Sequence, residues 1–448
     1  MDNFYKKKLR VWLVSVLFVA VALRVGLYVT YPPVSFNDTH SYRRSANAIL
    51  NEDQVYDGTR TPGYPAWMAL VGDDRAVYAS QLILGLGITV MWFFIGYLAS
   101  GKVIMAGLAA LAHTLNPGQL FFEANLLTET LSTFLLVLAL LGVCVWCYKE
   151  SYRKWWLGVL VGLAASLAIL TRPLFIFLPI LLAFFFGFSI ENKMLRINWK
   201  AMVGVLLPAI LLVGGWMRWV HNNYQVFSLT AMTGYHLVQH TGYYFEDVPD
   251  QYAELRDVYL AYRDARVAEF GTQGNAIWDA IPAMQEASGL GFYQLSQTLQ
   301  GISIDLILRN PGLYLAYVIR GWWLFWRAPV YWNVAGFPWQ ILSNVMSVWI
   351  IGARGFLFMI NLLFLFGSFA AVVSKRLRET WSLAPFHFFL LVMVWLTSVA
   401  SSLLDHGDNP RFLVPLQAVV VFLVLWVVFY SWVNWLQPKL NLEKIKHA

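Results

Sequence analysis

The sequence predicts an all-α polytopic membrane protein of about ten transmembrane helices, with interfacial helices and a small outer-face domain. Three observations predict it. Only 13% of the 448 residues are charged and 59% are hydrophobic, where soluble domains carry about 25% charged residues. The apolar residues fall in runs of about 20, the helix length that crosses a hydrocarbon core of about 30 Å. Threading these runs back and forth places all twelve lysines on one side, the cytoplasmic side by the positive-inside rule. The net charge of +7 then reflects sidedness and not an affinity for nucleic acid.

Taken in order, Lys6, Lys7, Lys8 and Arg10 precede an apolar run from Val11 to Thr30. The run ends in Tyr31-Pro32-Pro33 without a small-residue cleavage site, so it reads as a retained span and not a signal peptide. Further spans are expected near 76–99, 103–117, 127–148, 155–171, 173–190 and 201–220, completing an N-terminal block over 1–221 with a first outer loop at 32–75. An outer-face segment follows over 222–311. It holds ten acids against four arginines, and Tyr252 to Phe270 has the spacing of an amphipathic helix.

Residues 312–352 form an aromatic stretch punctuated by Arg320, Arg327 and Arg354, expected to lie flat on the membrane. Reading it as two added spans would give twelve and preserve the same sidedness. The C-terminal block, 353–448, carries spans near 353–374, 383–404 and 412–435. Both termini are then cytoplasmic. Cys144 and Cys147, the only cysteines, lie inside an apolar helix and read as packing residues, not a metal or redox pair.

Charge inside a membrane is costly, so its depth is informative. Here the polar candidates gather at outer helix ends: Asp38 and Arg60 in the first loop, Glu123 and Glu129 between the third and fourth spans, Arg172 after the fifth, and Asp405, Asp408 and Arg411 before the last. Arg24 and Arg218, nearer helix interiors, read as snorkelling or structural. Asp38 opens a helical stretch, where it has two readings: a cap for free backbone N–H groups, or a general base facing an acceptor. Arg60, Arg172 and Arg411 are either phosphate-binding forks or cations reaching lipid head groups. His236 and His240 have a helical spacing near Glu246 and Asp247, and are expected to pack or face solvent. Asn37-Asp38-Thr39 also fits a glycosylation acceptor pattern, read as coincidence.

The order Asp38, Arg60-Thr61-Pro62-Gly63-Tyr64-Pro65, Leu170-Thr171-Arg172-Pro173 and Asn409-Pro410-Arg411-Phe412-Leu413-Val414-Pro415 resembles the GT-C class of integral-membrane glycosyltransferases. It is closest to the bacterial branch related to lipid A aminoarabinose transferases and protein O-mannosyltransferases. The resemblance implies a hexosyl- or pentosyltransferase that takes a sugar from a polyprenyl-phosphate donor. Transfer goes, with inversion, to a lipid, glycan or protein acceptor at the outer face of the plasma membrane, facing the periplasm or exterior. It makes Asp38 the base, with Thr39 where several relatives have a second acid. Arg60, Arg172 and Arg411 are then donor-phosphate ligands, and Tyr42, Tyr64, Glu123 and Asp408 substrate contacts. No metal or other cofactor is required by this logic, and the expected partners are the lipid-linked donor, the acceptor and membrane lipids. The alternative is a transporter or flippase for a lipid-linked or anionic substrate, which predicts polar groups deeper in the spans; a non-catalytic scaffold is a third reading.

Overall fold

The computed structural model describes residues 3–51, 54–191, 194–328, 330–404 and 409–436. Among the lysines, Lys193, Lys439, Lys444 and Lys446 lie outside these residues, as do Asp405 and Asp408.

Every apolar run expected to span is helical. In the first block these are α1 (Asn3–Thr30), α4 (Asp74–Ser100), α5 (Val103–Thr114), α7 (Glu129–Tyr148), α8 (Trp155–Thr171) and α9 (Leu178–Gly187), then α10 (Trp199–Pro208) running through a π-helical turn into α11 (Gly215–Tyr224). Between them lie the short α2 (Asn37–Leu50), α3 (Gly63–Val71) and α6 (Pro117–Ala124), and a hairpin of β1 (Phe188–Glu191) paired antiparallel with β2 (Met194–Ile197).

Among the described residues, seven helices are long and apolar enough to cross a membrane, eight if the bent pair described below is one span. Three further expected runs form shorter apolar helices, Val103–Thr114, Trp155–Thr171 and Pro173–Gly187. At 1.5 Å per residue a twelve-residue helix reaches only about 18 Å, less than a hydrocarbon core. These short helices pack on longer neighbours, α5 on α4 and α8 on α7 and α10, which is where their apolar surface goes.

The segment over 222–311 folds as α12 (Thr233–Thr241), α13 (Ala253–Phe270), α14 (Ala276–Ser288) and α15 (Phe292–Arg309). It has its own apolar core, including Tyr235, Leu255, Tyr259, Ile277, Met284 and Leu299. α13 is the amphipathic helix read from its spacing, burying Leu255 and Tyr259. His240 is buried against the Tyr314 ring, His236 faces the Trp278 ring, and Glu246 is engaged by Arg263 at 2.6 Å.

The aromatic stretch departs from a flat ribbon. Pro311–Phe325 forms α16, bent 105° from α15, and α17 (Gln340–Val373) already begins within the region read as interfacial. Gln340 to Gly352 is apolar enough to continue the helix upstream of the expected start at 353. After α18 (Lys375–Thr380), the chain closes with α19 (Pro385–Leu404), α20 (Asn409–Phe412) and α21 (Gln417–Ser431). α21 is the central helix, with nearly every residue from Gln417 to Val424 buried against α5, α17 and α19.

Candidate active site

The first outer loop is built to present α2. Thr39 accepts the Phe36 N–H at 2.9 Å and donates to the Leu126 carbonyl at 3.0 Å, tying the start of α2 to the turn between α6 and α7. An isolated bridge between Val34 and Asn125 fixes the same junction. Thr39 therefore has a structural task at the start of α2. Arg43 holds the other side of α2 on α4 through Asp74, its Nε donating at 3.0 Å.

Gly63 explains the Arg-Thr-Pro-Gly-Tyr-Pro turn. A Cβ there would lie 2.7 Å from the backbone of Leu170 and Thr171, so only glycine lets α3 seat on the end of α8. That contact sets the start of α3, just after Arg60, against the end of α8, where Arg172 follows. Pro173 stops α8 directly after Arg172. Pro410 begins the turn that aims Arg411 inward ahead of the last span.

The three arginines converge on two carboxylates. Arg60 Nη2 donates to Asp38 Oδ1 at 2.7 Å, and Arg411 Nη1 donates to Asp38 Oδ2 at 2.9 Å. Arg411 also donates through Nε to Glu129, and Arg172 Nη1 meets the same Glu129 oxygen at 2.7 Å. Arg411 thus bridges Asp38 to Glu129. Arg172 further lies over the Phe412 ring at 5.0 Å, and Arg60 over the Tyr42 ring at 4.9 Å. Tyr42 packs edge-on against Tyr64 at 5.1 Å, and the Tyr64 hydroxyl donates to Gln81 at 2.9 Å.

Neither Asp38 oxygen caps the helix: both face guanidinium groups, and no side chain caps the first N–H groups of α2. Burial alone would raise the Asp38 pKa. The guanidinium groups of Arg60 and Arg411 outweigh it and hold the carboxyl well below the usual carboxylate range. Arg60 is shifted the other way: burial lowers its pKa, but Tyr42 and Asp38 beside it outweigh that and raise it. The site is open on one side. Asp38 and Arg60 keep 29% and 25% of their side-chain surface exposed, while Glu129 keeps 1%.

Among the described residues, the guanidinium groups of Arg60, Arg172 and Arg411 gather around the carboxylates of Asp38 and Glu129. Guanidinium groups gathered in this way are suited to binding an anion in paired hydrogen bonds. Two expected residues are not in this cluster. Glu123 is buried elsewhere, receiving Arg24 Nη2 at 2.6 Å and Nε at 2.8 Å, with His113 alongside. Glu123, expected as a substrate contact, thus lies outside the arginine cluster, in a buried ion pair with Arg24. Asp408 lies outside the described residues. The sequence placed Glu129 at an outer helix end but gave it no role; its position in the first turn of α7, beside two arginines from distant segments, became evident only in the packed structure. No cluster of three or more histidine, cysteine or acidic side chains that could hold a metal occurs among the described residues.

Comparison with solved structures places this architecture. The oligosaccharyltransferase AglB from Archaeoglobus fulgidus, in complex with an inhibitory peptide and a dolichol-phosphate, aligns over 99% of this chain and 52% of its own, with a TM-score of 0.51 and 15% identity. The chain shares the fold of this oligosaccharyltransferase. The Archaeoglobus fulgidus enzyme tethered to an acceptor peptide containing the NVT sequon aligns over 96% and 50%, with a TM-score of 0.50 and 17% identity. ArnT from Cupriavidus metallidurans bound to undecaprenyl phosphate aligns over 93% and 77%, with a TM-score of 0.40 and 15% identity. The chain spans about half the length of the oligosaccharyltransferase structures it matches. No family model and no curated sequence matches it.

Proposed function

We propose that this multi-pass membrane protein is a glycosyltransferase that moves a sugar from a polyprenyl-phosphate donor to a lipid, glycan or protein acceptor. The site faces the periplasmic or exterior side of the plasma membrane. The observation that carries the reading is the meeting of Arg60, Arg172 and Arg411, from three separate segments, on Asp38 and Glu129.

In this reaction an acceptor oxygen or nitrogen attacks the anomeric carbon, the bond from that carbon to the phosphate oxygen breaks, and the acceptor loses a proton. The leaving polyprenyl phosphate departs as an anion near low-dielectric lipid, where preorganised guanidinium forks stabilise it far more than water would. Arg172 and Arg411 suit that task, since arginine keeps its charge and binds phosphate oxygens in pairs. Asp38, the more open carboxylate, is the acceptor's base. Its two arginines restrain its basicity in the resting site. A bound phosphate would share those guanidinium groups, weaken their hold on Asp38 and raise its proton affinity when the acceptor is in place.

The test is reconstitution into liposomes with a panel of labelled polyprenyl-phosphate sugars, scoring release of polyprenyl phosphate. Release by the wild type and its loss in Asp38→Asn is the expected result. Lipid movement across the bilayer without sugar cleavage would replace this reading with a transporter.

A further inference from the structure

Away from the arginine cluster, a cavity of about 330 Å³ opens where α1 meets the N-terminus of α4 and the turn before α17. Tyr28, Val29 and Tyr31 line it from α1 and the residue after it, Arg75 from α4, and Gly336 and Phe337 from the turn. α1 and α4 are both long enough to cross the membrane, and the cavity lies at their consecutive ends, Thr30 and Asp74. This is the height of lipid head groups.

Arg75 is exposed, and its neighbours leave its charge available. Its Nε donates to the Tyr28 hydroxyl at 3.3 Å, and its guanidinium lies 4.7 Å from the Tyr28 ring centre. The adjacent acids are occupied: Asp73 accepts the Ala76 N–H, and Asp74 pairs with Arg43. Among the described residues no carboxylate forms an ion pair with Arg75. Below the cavity, Val29, Val25 and Val21 continue along one exposed face of α1 at steps of four residues, with Val29 73% exposed. An arginine with a phenol beside it, set above an apolar track running into the bilayer, matches a ligand with an anionic head and hydrocarbon chains.

We propose that this cavity is a seat for a phosphate-bearing membrane lipid. The lipid phosphate sits on Arg75 and the Tyr28 hydroxyl, and its chains follow the Val21–Val25–Val29 face of α1. The site is separate from the arginine cluster and does not depend on the transferase reading.

Native mass spectrometry of the full chain from detergent micelles tests it, with phosphatidylglycerol, diacylglycerol or sodium phosphate added. The wild type should retain phosphatidylglycerol and not diacylglycerol, and Arg75→Gln should weaken retention by about tenfold, the scale of one lost charge-assisted hydrogen bond. Arg75→Lys, which keeps the charge, should retain most of it, and the melting temperature of both variants should match the wild type. Equal phosphatidylglycerol retention by the wild type and Arg75→Gln overturns the site. If sodium phosphate occupies it as tightly as the lipid, free phosphate is the ligand and the lipid assignment fails.

Discussion

The protein contains two buried charge clusters, and the contrast between them separates architecture from chemistry. In one, Arg24 of α1 forks onto Glu123 of α6, with His113 of α5 at 3.7 Å; the arginine and the acid are 2% and 1% exposed. Gly85 of α4 makes room for it, since a Cβ there would collide with the Glu123 carboxylate. The charges are balanced and the cluster is sealed. In the other, three arginines face two carboxylates and one edge is open. A sealed, neutral pair holds helices at a fixed separation, whereas a cluster with an open edge is accessible to a ligand.

The largest expected effect lies in the open cluster. Asp38→Asn should lower sugar release by about 10²–10⁴-fold, the usual contribution of a general base, while the thermal midpoint changes little because Asp38 is partly exposed. A thermal collapse matching the loss of activity would move Asp38 into the structural class and erase the contrast. The next effect belongs to the sealed cluster. Glu123→Gln leaves Arg24 buried without its counter-charge and should cost about 3–5 kcal/mol of stability. Replacing both Arg24 and Glu123 with leucine should recover much of that loss, because a buried pair is often no better than apolar packing. Thermal unfolding in matched detergent compares the three proteins. If the double variant is as unstable as Glu123→Gln, the pair does more than join helices.

How far the two clusters were legible in the sequence follows from the same contrast. Asp38, Arg60, Arg172 and Arg411 stand at helix ends that the hydropathy pattern assigns to one side, so expected sidedness alone grouped them, and the motif order supplied a resemblance. Glu123 shares that placement in the sequence, but the structure pairs it with Arg24, away from the cluster. Its partner, Arg24, is 99 residues earlier, and the choice between partners depends on how α1, α5 and α6 pack. The same limit hid Glu129, which only the approach of Arg172 and Arg411 identifies. All ten apolar runs were readable as helices because hydropathy is local. The shorter lengths of α5, α8 and α9 were not, because where a helix stops depends on the neighbours it packs against.

A smaller effect sharpens the division of labour among the arginines. Arg172→Lys keeps a positive charge near Glu129 but loses the planar fork and its position over Phe412. Release should fall by about tenfold to a hundredfold, equivalent to about 1.4–2.8 kcal/mol of leaving-group stabilisation. Steady-state assays over donor concentration would test this. An unchanged rate would mean that a point charge suffices there and that the fork geometry at Arg411 carries the phosphate.

The smallest expected change is a displacement of a pH profile. Asp38 must be ionised to accept a proton, and Arg60 and Arg411 hold its pKa low in the folded chain. Its ionised form therefore persists as pH falls, down to below the ordinary aspartate value of about 3.9. By the same linkage, its contribution to stability is complete above that value and is lost only as pH drops through the lowered folded pKa. The profile of kcat/KM reports the free enzyme, so its acid limb should not appear between pH 5 and 7, which lies about one to three units above the reference value. Arg60→Gln removes one of the two restraining cations and should move the limb to higher pH, with Arg411 still in place. A wild-type limb near pH 6 that Arg60→Gln leaves unmoved would assign the base to another group. The open cluster would then bind the phosphate without taking the proton.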